Sequence, residues 1–282
     1  MLGGVVFTRC CFSAIWSCVT GILVGLSGGV ACAAGPEPAS DGESNFSFLT
    51  GFDYTAGNYG TSQTTKLLSV PFSLRYDADK FSVDATLPYL QQIGPTGQTI
   101  VGGRIIPTGA PVGGRATPRI ATVTGWGDFL LGATRYFDGE SDTSPVFSLR
   151  GQVKFGTANS EVGLGTGKND YTVQGGVMKP LGKWLLGGNL GYTKFGSPTG
   201  VTLKSGWFVS LDGGYRIAEK SKIGISGYIA QTNLQGTQGP FDATIYYAYS
   251  PSKTVQLRAY FLKGLSDGSA NHGLGASAFV LF

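Results

Sequence analysis

Cysteine is confined to the start of this 282-residue chain: all four stand at Cys10, Cys11, Cys18 and Cys32. If that start is removed on export, as argued below, disulfides, thiolate metal sites and a cysteine nucleophile are excluded together. Histidine is scarcer still, with His272 alone. Charge is sparse too: Asp, Glu, Lys and Arg make up 13% of residues, about half the share of an ordinary soluble domain. Net charge is only +4, and no basic tract stands ready for nucleic acid. Low charge points to a membrane. Yet beyond the N-terminus no run of about 18 apolar residues could span one as a helix. Both facts fit a β-barrel, whose strands need only about ten residues each and alternate apolar with polar side chains.

The first 34 residues read as a targeting segment. Arg9 supplies its single charge, an apolar small-residue stretch runs from Cys11 to Val30, and Ala31-Cys32-Ala33 has the small-x-small spacing of a cleavage site. A permanent anchor helix and a lipoprotein site at Cys32 are the alternatives. The many glycines argue against the first, and Gly29, where leucine is preferred, against the second. The expected organisation is therefore a cleaved signal peptide at 1–34 and one barrel domain at 35–282.

What is abundant is period-two alternation, the mark of strands with two unlike faces. At the C-terminus Leu274, Ala276, Ala278, Val280 and Phe282 alternate with Gly273, Gly275, Ser277, Phe279 and Leu281. Further back, Phe147, Leu149, Val153 and Phe155 alternate with Ser148, Arg150, Gln152 and Lys154. Leu68, Val70, Phe72, Leu74 and Tyr76 do so with Ser69, Ser73 and Arg75. Counted along the chain, such segments predict twelve strands, with the inward face of the one at 128–137 undecided. Short connections, such as Asp77-Ala78-Asp79 and Ala218-Glu219-Lys220-Ser221, alternate with long ones, including 91–124 and 156–169. Outer-membrane barrels have short periplasmic turns and long outer loops. The same alternation fits a soluble sandwich or lipocalin-like barrel turned inside out. The low charge, the aromatics near strand ends, the export signal and the terminal Phe282 select the membrane version. The expected fold is all-β: a transmembrane antiparallel up-and-down barrel of about twelve strands in a Gram-negative outer membrane. It would contact lipid, and its last strand, ending in Phe282, would be read by barrel assembly machinery.

By parity the inward positions include Arg75, Arg150, Lys154, Arg216 and Arg258 with Asp53, Asp84, Asp170, Asp212 and Asp242. Mixed charges inside a narrow barrel either brace the wall as pairs or line a path for solutes. Tyr228, Tyr246 and Tyr260 share that face and would give it an amphipathic lining. The segment 91–124, with its prolines, Gly113-Gly114 and Arg104, Arg115 and Arg119, either folds into the lumen as a constriction or stays outside as a loop.

Two motifs suggest other chemistry and fail. Gly163-Leu164-Gly165-Thr166-Gly167-Lys168 resembles a phosphate loop. However, Val162 stands where its first glycine belongs, Asn169 replaces the Ser or Thr that holds magnesium, and no helix follows. A barrel phospholipase needs Ser and His side by side on the wall, whereas the serines near His272 (Ser266 and Ser269) are loop residues. No catalytic, metal or cofactor residues are assigned.

The run Gly163-Leu164-Gly165-Thr166-Gly167-Lys168-Asn169-Asp170-Tyr171, then Trp184 and Gly188-Asn189-Leu190-Gly191-Tyr192, resembles the outer-membrane transporters of the phenol-degradation meta-pathway family. The likeness is sharp over 145–195. The chain departs from the family at Lys154-Phe155-Gly156-Thr157-Ala158, which lacks the usual proline. The resemblance implies a passive channel for small, aromatic or hydrophobic solutes, without a specified site. The other readings are a barrel enzyme acting on lipid and a structural or adhesive barrel with a closed lumen. The strand number favours a monomer.

Overall fold

The computed structural model describes residues 46–107, 119–137, 143–198 and 200–282; the expected signal peptide lies outside them. Fifteen strands follow one another: β1 (Phe46–Gly57), β2 (Thr65–Asp77), β3 (Phe81–Pro95), β4 (Gln98–Val101), β5 (Arg104–Pro107), β6 (Ile120–Trp126), β7 (Phe129–Phe137), β8 (Val146–Phe155), β9 (Asp170–Leu181), β10 (Trp184–Lys194), β11 (Gly206–Ala218), β12 (Ser221–Ala230), β13 (Phe241–Tyr249), β14 (Val255–Gly264) and β15 (His272–Leu281). Apart from the β4–β5 hairpin, each pairs antiparallel with its neighbours in one continuous sheet. β1 pairs with β15 from Ser47 opposite Leu281 to Ala56 opposite His272. That pairing, with β2 joined to β3, closes the sheet into a barrel.

The wall has twelve staves, because β6 and β7 are halves of one. β6 pairs with β3 at Tyr89–Pro95, and β7 pairs with it at Phe81–Thr86. The step from Tyr89 to Thr86 is matched by the step from Trp126 to Leu130, which is one residue longer. This bulge at Gly127-Asp128 reverses the facing parity. It also settles the face the sequence left open: Leu130, Thr134 and Tyr136 are buried inward, while Leu131 and Phe137 are exposed.

Adjacent side chains separate cleanly. Leu149 is 53% exposed and Arg150 only 2%. Leu211, Ile225 and Ile245 are among the most exposed residues of the molecule, whereas Ser210, Ser226 and Thr244 beside them are buried. A soluble barrel would have these faces exchanged. A continuous exposed apolar surface is what hydrocarbon requires. Aromatic pairs mark two belts on it. Phe46–Tyr76 and Trp184–Tyr215 lie near the end holding the termini, and Tyr89–Trp126 and Tyr192–Trp207 lie near the other.

The amide of Phe282 donates to the carbonyl of Phe46, so both described termini share one end. Turns there are short, as at Gly182-Lys183 between β9 and β10; at the opposite end lie the longer segments 156–169, 195–205 and 231–240. Those ends correspond to the periplasmic and outer faces of such barrels.

Candidate functional site: a lumen closed by a hairpin

Among its described residues, the segment 91–124 is mostly strand. β3 continues to Pro95, β6 resumes at Ile120, and between them β4 and β5 form a hairpin. Its sequence dictates this. Ile100-Val101 and Ile105-Ile106 flank Gly102-Gly103, and both glycines have positive φ (54° and 73°). That is the backbone of a two-residue hairpin turn matched to strand twist.

The hairpin lies inside the barrel mouth. Ile100 and Ile105 pack with Leu67, Leu90 and Leu262, inward residues of β2, β3 and β14. Val101 and Ile106, on the other face, pack with Leu203 and with Phe195, Val201 and Leu234 from the outer connections. Polar contacts fix its position. Thr65 Oγ1 donates to Gln98 Oε1 (2.6 Å), and Arg104 pairs with Asp242 (2.5 Å). The Ile100 amide donates to the Gly163 carbonyl (3.1 Å), and Thr99 Oγ1 to that of Gly165 (3.0 Å).

Those last two bonds explain the glycine-rich motif. Its carbonyls form the seat of β4. A Cβ on Gly163, whose φ is +83°, would overlap the carbonyl oxygen of Gln98. The seat is anchored from below. Lys154 Nζ pairs with Asp128 (2.6 Å) and Asp170 (3.2 Å) and donates to the Lys168 carbonyl (3.1 Å). Asp128 accepts from the Ala158 amide, and Asp170 from that of Gly196. The motif therefore holds loops against a plug rather than a phosphate.

Beside the hairpin lies a cavity of about 320 Å³ bordered by Tyr59, Arg104, Phe195, Phe208 and Tyr228. The Arg104 guanidinium sits 5.2 Å over the Tyr228 ring, and Phe208 stacks on Tyr228 at 5.9 Å. Burial pushes the Tyr59 phenol above its ordinary range, so it stays neutral there.

Towards the periplasmic end the interior becomes polar. Arg150 binds Asp84 through two bonds (2.5 and 2.8 Å), and Arg75 pairs with Asp77 and reaches Tyr136. Tyr246 donates to Asp212 (3.2 Å) and Tyr260 to Asp53. Arg258 lies 4.5 Å over the Tyr246 ring and 5.7 Å from that of Tyr260. Of the inward positions expected from sequence, all but Arg216 are buried or half-buried. Arg216 is exposed near the periplasmic end of β11. Arg104 enters the lumen as the constriction reading of 91–124 implies, whereas Asp128 and Lys222 were not assigned there from sequence. His272 begins β15 rather than ending the loop before it; its cross-strand neighbours are Ala56 and Lys263. Among the described residues no group of three or more His, Cys, Asp or Glu could hold a metal ion.

A family model described as "Putative MetA-pathway of phenol degradation" matches residues 56–282. The chain belongs to this family. No curated protein matches it. Among solved structures, the β domain of the Bordetella autotransporter BrkA is 11% identical at a TM-score of 0.51, covering 85% of this chain and 100% of that one. A Pseudomonas aeruginosa FadL homologue is 11% identical at a TM-score of 0.44, covering 96% and 98%. The KdgM porin is 8% identical at 0.49, covering 84% and 99%. The fold is that of outer-membrane barrels, and family and fold together support a transporter or channel.

Proposed function

We propose that this barrel is a passive channel for small aromatic or hydrophobic solutes, narrowed at its outer mouth by the β4–β5 hairpin. The observation that carries the reading is the hairpin's placement. It fills the mouth and leaves beside it a cavity of a few hundred Å³ with an aromatic wall and one guanidinium. A single ring with a polar substituent suits that chemistry: apolar faces for the ring and a directional donor for the oxygen. Gradient-driven passage needs no cofactor and no catalytic residue. Ala56 and Lys263 stand opposite His272, so the Ser–His pair that a lipid-cleaving barrel uses is not set by the register at that position. Export through a cleaved segment at 1–34, and insertion by assembly machinery that reads the strand ending in Phe282, belong to the same proposal. So does a monomeric state.

Planar-bilayer recording and liposome uptake of phenol test the reading. The intact protein should give small unitary currents and admit phenol. Replacing 98–107 with a short Gly-Ser link should raise conductance several-fold. Absence of both current and uptake in both proteins would end the transport hypothesis.

A further inference from the structure

Two cavities at the outer end share a wall. The first is the aromatic cavity beside the hairpin, bordered by Arg104, Phe208 and Tyr228. The second, of about 450 Å³, lies between the β1–β2 and β14–β15 connections. Hydroxyl and amide side chains line it, Asn58, Thr61, Ser266 and Asn271 among them. Tyr59, Gly60 and Asp267 border both.

The shared wall is built against local preference. Tyr59 is the one non-glycine residue with a positive φ (47°) among the described residues. Gly60 follows at 75°, and the Thr61 amide donates to the Asn58 carbonyl (2.8 Å). A turn with positive φ at both central positions is one that asparagine or glycine fills readily. A bulky ring there is an outlier, and such outliers persist where the surroundings hold them. Here they do. The Asn58 amide donates to Asn271 Oδ1 (2.8 Å), which ties the turn to the β14–β15 connection, and Thr64 Oγ1 donates to Asn58 Oδ1 (2.8 Å). The Tyr59 ring is 7% exposed and belongs to the cluster of Ile100, Ile105, Leu262 and Ala270. Its hydroxyl lies near Thr55 and the Arg104–Asp242 pair. A side chain from the outermost turn thus reaches down to the ion pair that ties the hairpin, and its ring stands between the polar cavity and the aromatic one. Glycine at this position would relieve the turn and join the two spaces; the tyrosine keeps them apart.

We propose that the two cavities are successive stations of one solute path and that Tyr59 sets its width. A solute meets the hydroxyls and amides of the outer cavity first, passes the edge of the Tyr59 ring, and reaches the aromatic wall beside Arg104. The path skirts the hairpin, so a single ring enters while the plug stays in the mouth. The inference rests on the channel reading and is tested apart from it.

The test is a size series at position 59, read as unitary conductance in planar bilayers. Tyr59→Gly should at least double the conductance of the intact protein, Tyr59→Phe should leave it unchanged, and Tyr59→Trp should lower it. Liposome uptake of phenol should follow the same order. In the variant lacking 98–107 the series should collapse to one value, because the mouth is then open beside the path. Heat-modifiable migration on a gel confirms that each variant is folded. Unchanged conductance in folded Tyr59→Gly, or an equal gain in the variant lacking 98–107, would overturn the path and leave the channel standing. If the intact protein is silent, current that appears in Tyr59→Gly supports the path and continued silence overturns it. Silence in the variant lacking 98–107 as well removes channel and path together.

Discussion

The two ends of this lumen are built by different physics. The outer end is closed by apolar packing, with Ile100 and Ile105 against Leu67, Leu90 and Leu262. The periplasmic end is lined by ion pairs and tyrosines such as Arg150–Asp84 and Tyr246–Asp212. Apolar packing is non-directional, and the hairpin adds to it a single ion pair, Arg104–Asp242. Buried charge pairs have strict geometry and are costly to break, so they suit a wall that must keep its shape. The hairpin, though tied by Arg104–Asp242, is an insertion that the wall pairings do not need, and the periplasmic end is the frame. Disturbing one should change flow, and disturbing the other should change folding.

The largest effect separates the two directly. Removing 98–107 should raise unitary conductance several-fold while leaving the folded, heat-modifiable form intact, because every wall pairing persists without the hairpin. Next comes the frame. Asp84→Asn leaves the Arg150 guanidinium, only 3% exposed, without its charge partner. Breaking such a pair costs about 3–5 kcal/mol. It should lower the urea midpoint of refolded protein in lipid bilayers, with little change in the conductance of molecules that do fold. Arg150→Met combined with Asp84→Leu should recover much of the loss. If the single change instead opened the channel without destabilising it, frame and plug would not be separate.

How much of this could be read from sequence follows the same division. The wall was legible because period-two alternation encodes each strand face independently. Leu149 and Arg150 need no tertiary knowledge to be assigned opposite sides. The bulge at Gly127-Asp128 defeated that logic: one extra residue flips parity, and nothing in the alternation announces it. Lys222 has the inward parity of Ser226 and Tyr228 but stands next to a turn, where alternation gives little support. The plug was legible only as one of two alternatives for 91–124. Ile100-Val101-Gly102-Gly103-Arg104-Ile105-Ile106 is a hairpin signature, yet it is embedded in a stretch whose prolines and glycines read as loop. Whether such a hairpin points inward is decided by long-range partners, Gly163 and Asp242 among them, that no local pattern reveals. The glycine-rich motif was recognisable as a family mark, but its role as the seat of β4 appears only once Gln98 is placed against it.

Smaller changes refine the contrast. Gly163→Ala meets both a positive φ and the carbonyl of Gln98, a strain of about 1–3 kcal/mol. It falls on a connection rather than the wall. Its expected effect is therefore on the plug: more frequent transitions to a high-conductance level in single-channel records, with an unchanged urea midpoint. A lowered midpoint with steady current would place the seat in the frame instead. The smallest effect belongs to His272. The side chain is exposed at the start of β15, with Ala56 and Lys263 across from it. Neither offers a hydroxyl that an imidazole could activate. His272→Ala should leave conductance, stability and any release of fatty acid from phospholipid vesicles at wild-type levels. Vesicle hydrolysis that disappeared with this one substitution would mean that the outer wall, not the lumen, carries the chemistry.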